Sequence, residues 1–197
     1  RGRQGRAWTS PAGALLVSVV CRPSRPAAEA AQLSFVAGLA LAQTCGVFCP
    51  PMTDLRLKWP NDVLLNDKKA GGVLLEAGPI VDGRAEWIVV GVGLNLTEAP
   101  QLPADAGYAA TSIAMEGGGA PDGADALQHF ARAFLSWRDR WTFDGFPELK
   151  KAWLARAAGL GGASEARVGE ETLSGVFEDL DAEGRLILGD ALTRASE

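Results

Sequence analysis

Two neighbouring stretches decide the fold of this chain: Lys58-Trp59-Pro60-Asn61-Asp62 and Lys69-Ala70-Gly71-Gly72-Val73-Leu74-Leu75-Glu76. Pro60 fixes the backbone where a strand from Leu55 to Trp59 ends, so Asn61 and Asp62 project from a turn. A strand from Val63 to Leu65 follows. Asn66-Asp67-Lys68 then supplies a second turn, and the glycine-bearing stretch continues as an apolar strand. The pattern therefore predicts short strands joined by tight turns.

The rest of the chain alternates between strands and helices, which predicts an α+β fold built in layers. Further strands are predicted at Leu15–Val20, Gly72–Glu76 and Trp87–Val92. Helices are predicted at Ala27–Thr44, with a stop at Gly46, at Ala126–Trp141, and from Pro147 to Ala158. The segment 99–125 reads as a surface loop in which Thr111–Met115 packs. After Gly159–Gly162 come three short strands, too few to bury a core alone: Ala166–Val168, Thr172–Glu178 and Arg185–Leu188.

Composition narrows the classes of function. The chain has 197 residues, 47% hydrophobic and 22% charged, which fits one globular domain with a small appendage. A net charge of −5 argues against broad binding of nucleic acid through phosphates. No apolar run is long enough to predict a membrane span. Three cysteines and one histidine do not complete a zinc site and favour reduced thiols in the cytoplasm.

The first chemical motif is Arg1-Gly2-Arg3-Gln4-Gly5-Arg6, followed by Trp8. Guanidinium groups on a glycine-rich backbone can wrap around an anionic ligand, and an indole can stack on a base. The alternative is a solvated Arg-Gly tail that binds RNA without specificity.

The second motif is the turn at Asn61 and Asp62. A carboxylate there could hold a magnesium ion on a nucleotide, and the amide could bind the edge of a base. The alternative is an ordinary turn between hairpin strands.

The third and fourth motifs are the lysine-led strand and Val90-Gly91-Val92-Gly93-Leu94-Asn95. A lysine at the start of the strand can neutralise a carboxylate that attacks a phosphate. Glycines inside a strand suggest that a flat ligand approaches the backbone, and Asn95 could bind an adenine. The alternatives are a hairpin with exposed lysines and a β-bulge without a ligand.

Together, in this order, the four motifs closely resemble those of the biotin protein ligase family. The resemblance covers residues 1 to about 96 most clearly. It implies a mixed sheet backed by helices, related to the catalytic domain of class II aminoacyl-tRNA synthetases, and then a small SH3-like β-barrel. The corresponding domains are 1–160, a catalytic domain without its N-terminal part, and 161–197.

The resemblance also implies an enzyme with two half-reactions. The biotin carboxylate attacks the α-phosphate of ATP to give biotinyl-adenylate, and a lysine of a biotin carboxyl carrier protein then displaces AMP. ATP and Mg²⁺ are the expected nucleotide and metal, with no tightly bound metal. No catalytic residue forms a covalent intermediate.

Site residues carry over position by position. Lys69, rather than the adjacent Lys68, matches the essential lysine, and Arg3 and Asp62 complete the expected catalytic set, with Asp62 on magnesium. The expected biotin and adenylate contacts are Arg1, Gly2, Arg3, Arg6, Trp8, Lys69, Gly71, Gly72, Val73, Leu74, Gly91 and Gly93. The expected nucleotide contacts are Trp8, Asn61 and Asn95.

The sequence also departs from the family pattern. The chain opens at Arg1 inside a motif, so we expect part of the biotin pocket to precede it and a polypeptide that truly began here to be inactive. Neither a DNA-binding domain nor a membrane segment is expected, and the resemblance to the family implies a homodimer. The alternatives are a lipoate–protein ligase or octanoyl transferase of the same fold, which lack the first two motifs, and a non-catalytic nucleic-acid-binding module.

Overall fold

A five-stranded sheet forms the centre of the protein. The computed structural model describes residues 11–101, 108–168 and 171–190. All neighbouring strands of the sheet pair antiparallel in the order β1-β7-β4-β3-β2. Their bounds are Ala14–Cys21 (β1), Leu55–Lys58 (β2), Asp62–Leu65 (β3), Lys68–Ala77 (β4) and Ile88–Asn95 (β7); between β4 and β7 lies a small hairpin of Ile80–Val81 (β5) and Arg84–Ala85 (β6).

Helices cover one side of this sheet. A 3-10 helix at Ala27–Gln32 leads into α1, Leu33–Phe48, and the later helices are α2, Gly123–Asp144, and α3, Phe146–Leu154. Helix α1 is apolar nearly all round and is buried along most of its length, as expected of a helix in the centre of a core. Gly145, with φ +81°, separates α2 from α3.

The prediction that the first helix stops at Gly46 is wrong. Helix α1 continues to Phe48, and a Cβ at Gly46 would meet nothing within 4 Å. The helix ends where Cys49 adopts an extended backbone before Pro50, because a residue that precedes proline disfavours the helical region.

By length and composition alone, the segment Ala27–Phe48 could cross a membrane. It contains an 18-residue window of mean hydropathy 1.4, but 67% of that window is buried inside the protein. The long apolar run is therefore explained by its position between the sheet and α2.

Strand register gives the sheet two different faces. Val73, Val90 and Val92 point toward the helices and lie in the hydrophobic core. The opposite face, here called the outer face, carries Leu16 and Val20 of β1, which are 54% and 69% exposed. Side chains alternate between faces along a strand, so residues paired with Leu16 and its neighbours share the outer face.

The C-terminal strands form a separate three-stranded sheet in the order β10-β9-β8. Their bounds are Ala163–Val168 (β8), Glu171–Leu180 (β9) and Leu186–Gly189 (β10). Phe177 and Leu180 join the main core, which agrees with an appendage that cannot bury a core of its own. The α+β fold and the small SH3-like sheet are thus confirmed, while a boundary at residue 160 stays a prediction.

The turn between β9 and β10 anchors this small sheet. The carbonyl of Gly184 accepts a hydrogen bond from Trp59 Nε1 at 3.0 Å, and that of Ala182 accepts one from Gln32 Nε2 at 2.9 Å. Lys150 Nζ donates to the carbonyl of Leu180 at 2.5 Å. The anchor therefore reaches the residue that precedes Pro60, at the start of the second motif.

We expect Gly184→Ala to destabilise the protein by about 3 kcal/mol, because φ there is +85° and a Cβ would lie 2.6 Å from Phe35 Cε2. Urea unfolding measures the loss. The matched control is Gly161→Ala, where φ is +78° but no atom lies within 4 Å, and about 1 kcal/mol is expected. Equal losses in the two variants would show that the Phe35 contact does not constrain the turn.

Candidate active site

An ion pair between Lys69 and Asp62 forms the centre of the site. Lys69 Nζ lies 2.6 Å from Asp62 Oδ1, and the two side chains are 21% and 11% exposed. Asp62 pairs with Gly72 across β3 and β4, and the register shifts between Val63 and Leu64. This bulge brings Lys69 to the same face as Gly72, where a Cβ would lie 3.5 Å from Lys69 Cε.

Tyr108 completes this cluster, although the sequence pattern did not predict it. Its hydroxyl donates to Asp62 Oδ2 at 2.5 Å and accepts from Lys69 Nζ at 3.4 Å. Lys58 Nζ lies 4.5 Å from the centre of its ring. Tyr108 lies in the segment predicted as a surface loop. The sequence feature that could have drawn attention to it is that it is the only tyrosine of the chain.

Two lysines and one carboxylate therefore meet at the outer face. Among the residues of the cluster that the structure describes, Lys58 and Lys69 supply two positive charges and Asp62 supplies one negative charge. A carboxylate or phosphate from a ligand can bind here by replacing Asp62 as the partner of Lys69, because fixed cations are worth more in a site with limited access to water.

A pair of glycines leaves a bare strip of backbone beside the cluster. Gly72 of β4 pairs directly with Gly93 of β7, and Gly91 pairs with Leu74. A Cβ at Gly91 would meet only Leu74, at 3.4 Å or more, so packing does not require glycine there. This observation supports the prediction that a flat ligand approaches the sheet at these positions.

Two of the predicted pocket positions face the core instead. A Cβ at Gly71 would lie 2.7 Å from the carbonyl oxygen of Gly93, so this glycine is needed for strand packing. The side chain of Val73 is 3% exposed and belongs to the core. Either residue could meet a ligand only through its backbone, and the carbonyl of Val73 already accepts from Asn61 Nδ2 at 2.5 Å.

The two predicted nucleotide amides also make contacts within the protein. Asn61 ties its turn to β4, since its own carbonyl accepts from the amide of Val73 at 2.9 Å. Asn95 is 6% exposed and donates to the carbonyl of Thr111 at 2.9 Å. That these amides bind the nucleotide stays a prediction. Arg1, Gly2, Arg3, Arg6 and Trp8 lie outside the described residues.

The segment 108–116 crosses the start of β4. The amide of Lys69 donates to the carbonyl of Ala109, and the amide of Thr111 donates to the carbonyl of Lys69, both at 2.8 Å. Thr111, Ser112 and Ile113 are fully buried, which confirms the first part of the packing predicted for Thr111–Met115. The prediction is wrong for Met115, which is 60% exposed.

Glu116 fixes the far end of this segment, with a side chain that is 7% exposed. Its carboxylate accepts from Thr111 Oγ1 at 2.5 Å, Asn66 Nδ2 at 2.7 Å and Lys68 Nζ at 3.0 Å. Burial opposes ionisation of Glu116, but these three hydrogen bonds outweigh it and hold the pKa of the carboxyl below its ordinary value.

The three cysteines are poorly suited to act as nucleophiles, because the reactive form of cysteine is the thiolate. Burial raises the pKa of the thiols of Cys45, Cys49 and Cys21 above the ordinary value. Among residues 11–101, 108–168 and 171–190, no group of three or more His, Cys, Asp and Glu could hold a metal ion. Lys58 and Lys69 are cations of the described site that can bind an anion.

Comparison with known proteins identifies relatives of this chain. Residues 6–155 match the model of the biotin/lipoate A/B protein ligase family. The chain is 44% identical over 190 residues to a biotin–[acetyl-CoA-carboxylase] ligase of Paracoccus denitrificans, a match that covers 95% of this chain and 79% of the relative. It is 34% identical to a bifunctional ligase/repressor of Bacillus subtilis (strain 168), over 95% of this chain and 58% of the relative.

Solved structures agree with these matches. A biotin protein ligase-like protein of unknown function from Silicibacter sp. superimposes with a TM-score of 0.76 at 26% identity, over 91% of this chain and 76% of the other. The biotin protein ligase of Aquifex aeolicus in complex with biotin and ATP shares the fold, with a TM-score of 0.76 at 24% identity, over 97% and 82% of the two chains.

The hydrogen bonds to Glu116 predict a specific pH dependence of stability. Its pKa is lowered on folding, so its contribution is complete above the pKa of the unfolded chain and is lost as the pH falls through the folded pKa. We expect Glu116→Gln to cost about 2 kcal/mol in urea unfolding at pH 7 and clearly less at pH 3. A difference between the two proteins that is the same at both pH values would contradict this account.

Proposed function

The chain belongs to the biotin/lipoate A/B protein ligase family, and from this membership we propose that it activates biotin with ATP and transfers the biotinyl group to a lysine of a carrier protein. It is a biotin protein ligase, an ATP-dependent enzyme that forms AMP. The observation that carries the proposal is the pairing of Lys69 with Asp62 beside the glycine strip of β4 and β7.

The first half-reaction brings two anions together. A carboxylate oxygen of biotin attacks the α-phosphorus of ATP, the bond from that phosphorus to the bridging oxygen breaks, and pyrophosphate leaves with the electron pair. Repulsion between the carboxylate and the phosphate opposes the attack. Lys69 lowers this barrier by binding oxygens of both groups, as fixed charges do in a preorganised site.

Lys69 must exchange its partner to do this. In the structure its ammonium is held by Asp62 Oδ1, while the hydroxyl of Tyr108 binds the other carboxylate oxygen. The pair holds the side chain of Lys69 beside Gly72 until the ligand carboxylate arrives. Lys58, above the ring of Tyr108, adds a second positive charge on the nucleotide side.

The second half-reaction requires that the amine of the carrier lysine be positioned beside biotinyl-adenylate, and it requires no further reactive group of the chain. The ε-amine of the carrier lysine attacks the acyl carbon of biotinyl-adenylate, AMP leaves with the electron pair of the anhydride bond, and the amine loses a proton. No covalent intermediate on the chain is part of this proposal.

Magnesium enters this proposal only with the nucleotide. Mg²⁺ usually keeps several water ligands and binds one or two protein carboxylates together with substrate phosphates. Asp62, at the outer face beside Lys69, fits the role of that one carboxylate. Asn61, Asn95 and Trp8 are proposed contacts to the nucleotide, and the loop with Arg1, Gly2, Arg3 and Arg6 is proposed to retain the adenylate.

The remaining partners are proposed on the family resemblance. They are a biotin carboxyl carrier protein domain as acceptor and a second copy of this chain in a homodimer. Free thiols at Cys21, Cys45 and Cys49 support a cytoplasmic location. That the chain carries no DNA-binding domain stays a prediction.

Replacing Lys69 tests the proposed function. We expect Lys69→Ala to lower biotin-dependent exchange of pyrophosphate into ATP at least about a hundredfold, because it removes a charge that binds both reacting anions. The matched control is Lys68→Ala, an adjacent lysine whose Nζ pairs with Glu116, for which less than about a threefold change is expected.

The assay has two informative contrary results. Unchanged pyrophosphate exchange in Lys69→Ala would show that Lys69 does not take part in adenylate formation. Exchange that depends on lipoate and not on biotin would keep the acyl-adenylate reaction but overturn the substrate.

A further inference from the structure

The two adjacent lysines have different carboxylate partners. Lys69 Nζ pairs with Asp62 at 2.6 Å, whereas Lys68 Nζ pairs with Glu116 at 3.0 Å. Because two lysines stand side by side before the glycine-bearing strand, either one could in principle place its ammonium group in the site. In the folded chain Glu116 holds one of the two charges.

Glu116 joins parts of the chain that are far apart in sequence. Asn66 lies in the β3–β4 turn and Lys68 at the start of β4, 50 and 48 residues away, and both donate to its carboxylate. Thr111 donates from within the 108–116 segment. One buried carboxylate therefore fixes this segment to the turn that begins β4.

The same segment holds Lys69 by its backbone. Lys69 donates to Ala109 and accepts from Thr111, both at 2.8 Å, so the segment grips this residue on its two sides. Tyr108, the residue before Ala109, contacts the side chains of Lys69 and Asp62. A shift of Thr111 would therefore move both the backbone of Lys69 and the hydroxyl that binds its partner.

We propose that Glu116 is a positioning residue for adenylate formation, which acts by locking the 108–116 segment against the β3–β4 turn and so fixes Lys69. The inference rests on the proposed function, because its effect is exerted on the lysine of that reaction. Glu116 itself touches no reacting atom: its carboxylate is occupied by Thr111, Asn66 and Lys68. Misplacing a reactive group by about 1 Å can slow a reaction about a hundredfold, so small shifts are sufficient.

A double-mutant cycle on pyrophosphate exchange tests the proposal in the full-length protein. The variants are Glu116→Ala, Lys69→Ala and the two combined. We expect Glu116→Ala to lower kcat about tenfold, with KM for ATP and biotin changed less than about twofold, because the loss lies in placement and not in binding. In the Lys69→Ala background the same substitution should change kcat less than about twofold.

Two control variants test whether the effect of Glu116 depends on all of its hydrogen bonds together or on one of them. Lys68→Ala removes one of the three donors and its charge. Asn66→Gly removes another donor while glycine tolerates the φ of +48° at that position. Each should lower kcat less than about threefold, since two donors remain. If Glu116→Ala is too unstable to assay, Glu116→Gln, which keeps one acceptor oxygen, should show an intermediate loss and the same dependence on Lys69.

The outcomes distinguish a failure of the positioning role of Glu116 from a failure of the proposed biotin activation. Equal losses from Glu116→Ala in the presence and absence of Lys69 would overturn the positioning role, as would unchanged kcat in Glu116→Ala. If Lys69→Ala itself keeps full exchange, the proposed function fails first, whatever Glu116 does.

Discussion

The ion pair between Lys69 and Asp62 is the interaction on which the rest of the site depends, because its two charges must keep their partners and hydrogen bonds. Both side chains are mostly shielded from water, and a partly buried charge is costly unless it has a partner and hydrogen bonds. The turn at Pro60 brings Asp62 to the start of β3, the bulge opposite Val63 turns Lys69 to the same face, and Tyr108 satisfies the second carboxylate oxygen. The cluster is complete without a ligand, yet it holds a cation that an incoming anion can take over.

Everything else about the site follows from which face of the sheet a residue occupies. The helices pack against one face, so Val73 and Gly71 serve packing, whereas Gly72, Gly91 and Gly93 contribute no side chains of their own to the other face, next to the ion pair. The C-terminal sheet adds a support from outside, because the carbonyl of Gly184 holds the indole of Trp59 just before the turn. The small C-terminal sheet thus shares the main core and supports the turn at Pro60.

Much of this could be predicted from sequence where the signal is local. The turns at Pro60 and Asn66 and the strands on either side follow from residue types at short spacing. The choice of Lys69 over Lys68 and the role expected of Asp62 came instead from the resemblance to the family. Tyr108 and Glu116 could not be predicted, because their partners among Asp62, Asn66, Lys68 and Lys69 lie 39 to 50 residues away and only the folded sheet brings them together. Strand ends were also missed: β4 begins at Lys68 and not at Gly72, since the turn at Asn66 and Asp67 leads directly into the ladder.

The central claim, that Lys69 exchanges Asp62 for a ligand anion, is tested most directly by a crystal structure with a non-hydrolysable biotinyl-adenylate analogue. The account predicts that Lys69 Nζ binds both the acyl-side oxygen and the phosphate, and that its distance from Asp62 Oδ1 grows from 2.6 Å to beyond about 4 Å, the limit of an ion pair. An analogue bound elsewhere, or one bound on the glycine strip while Lys69 stays paired with Asp62, would contradict it.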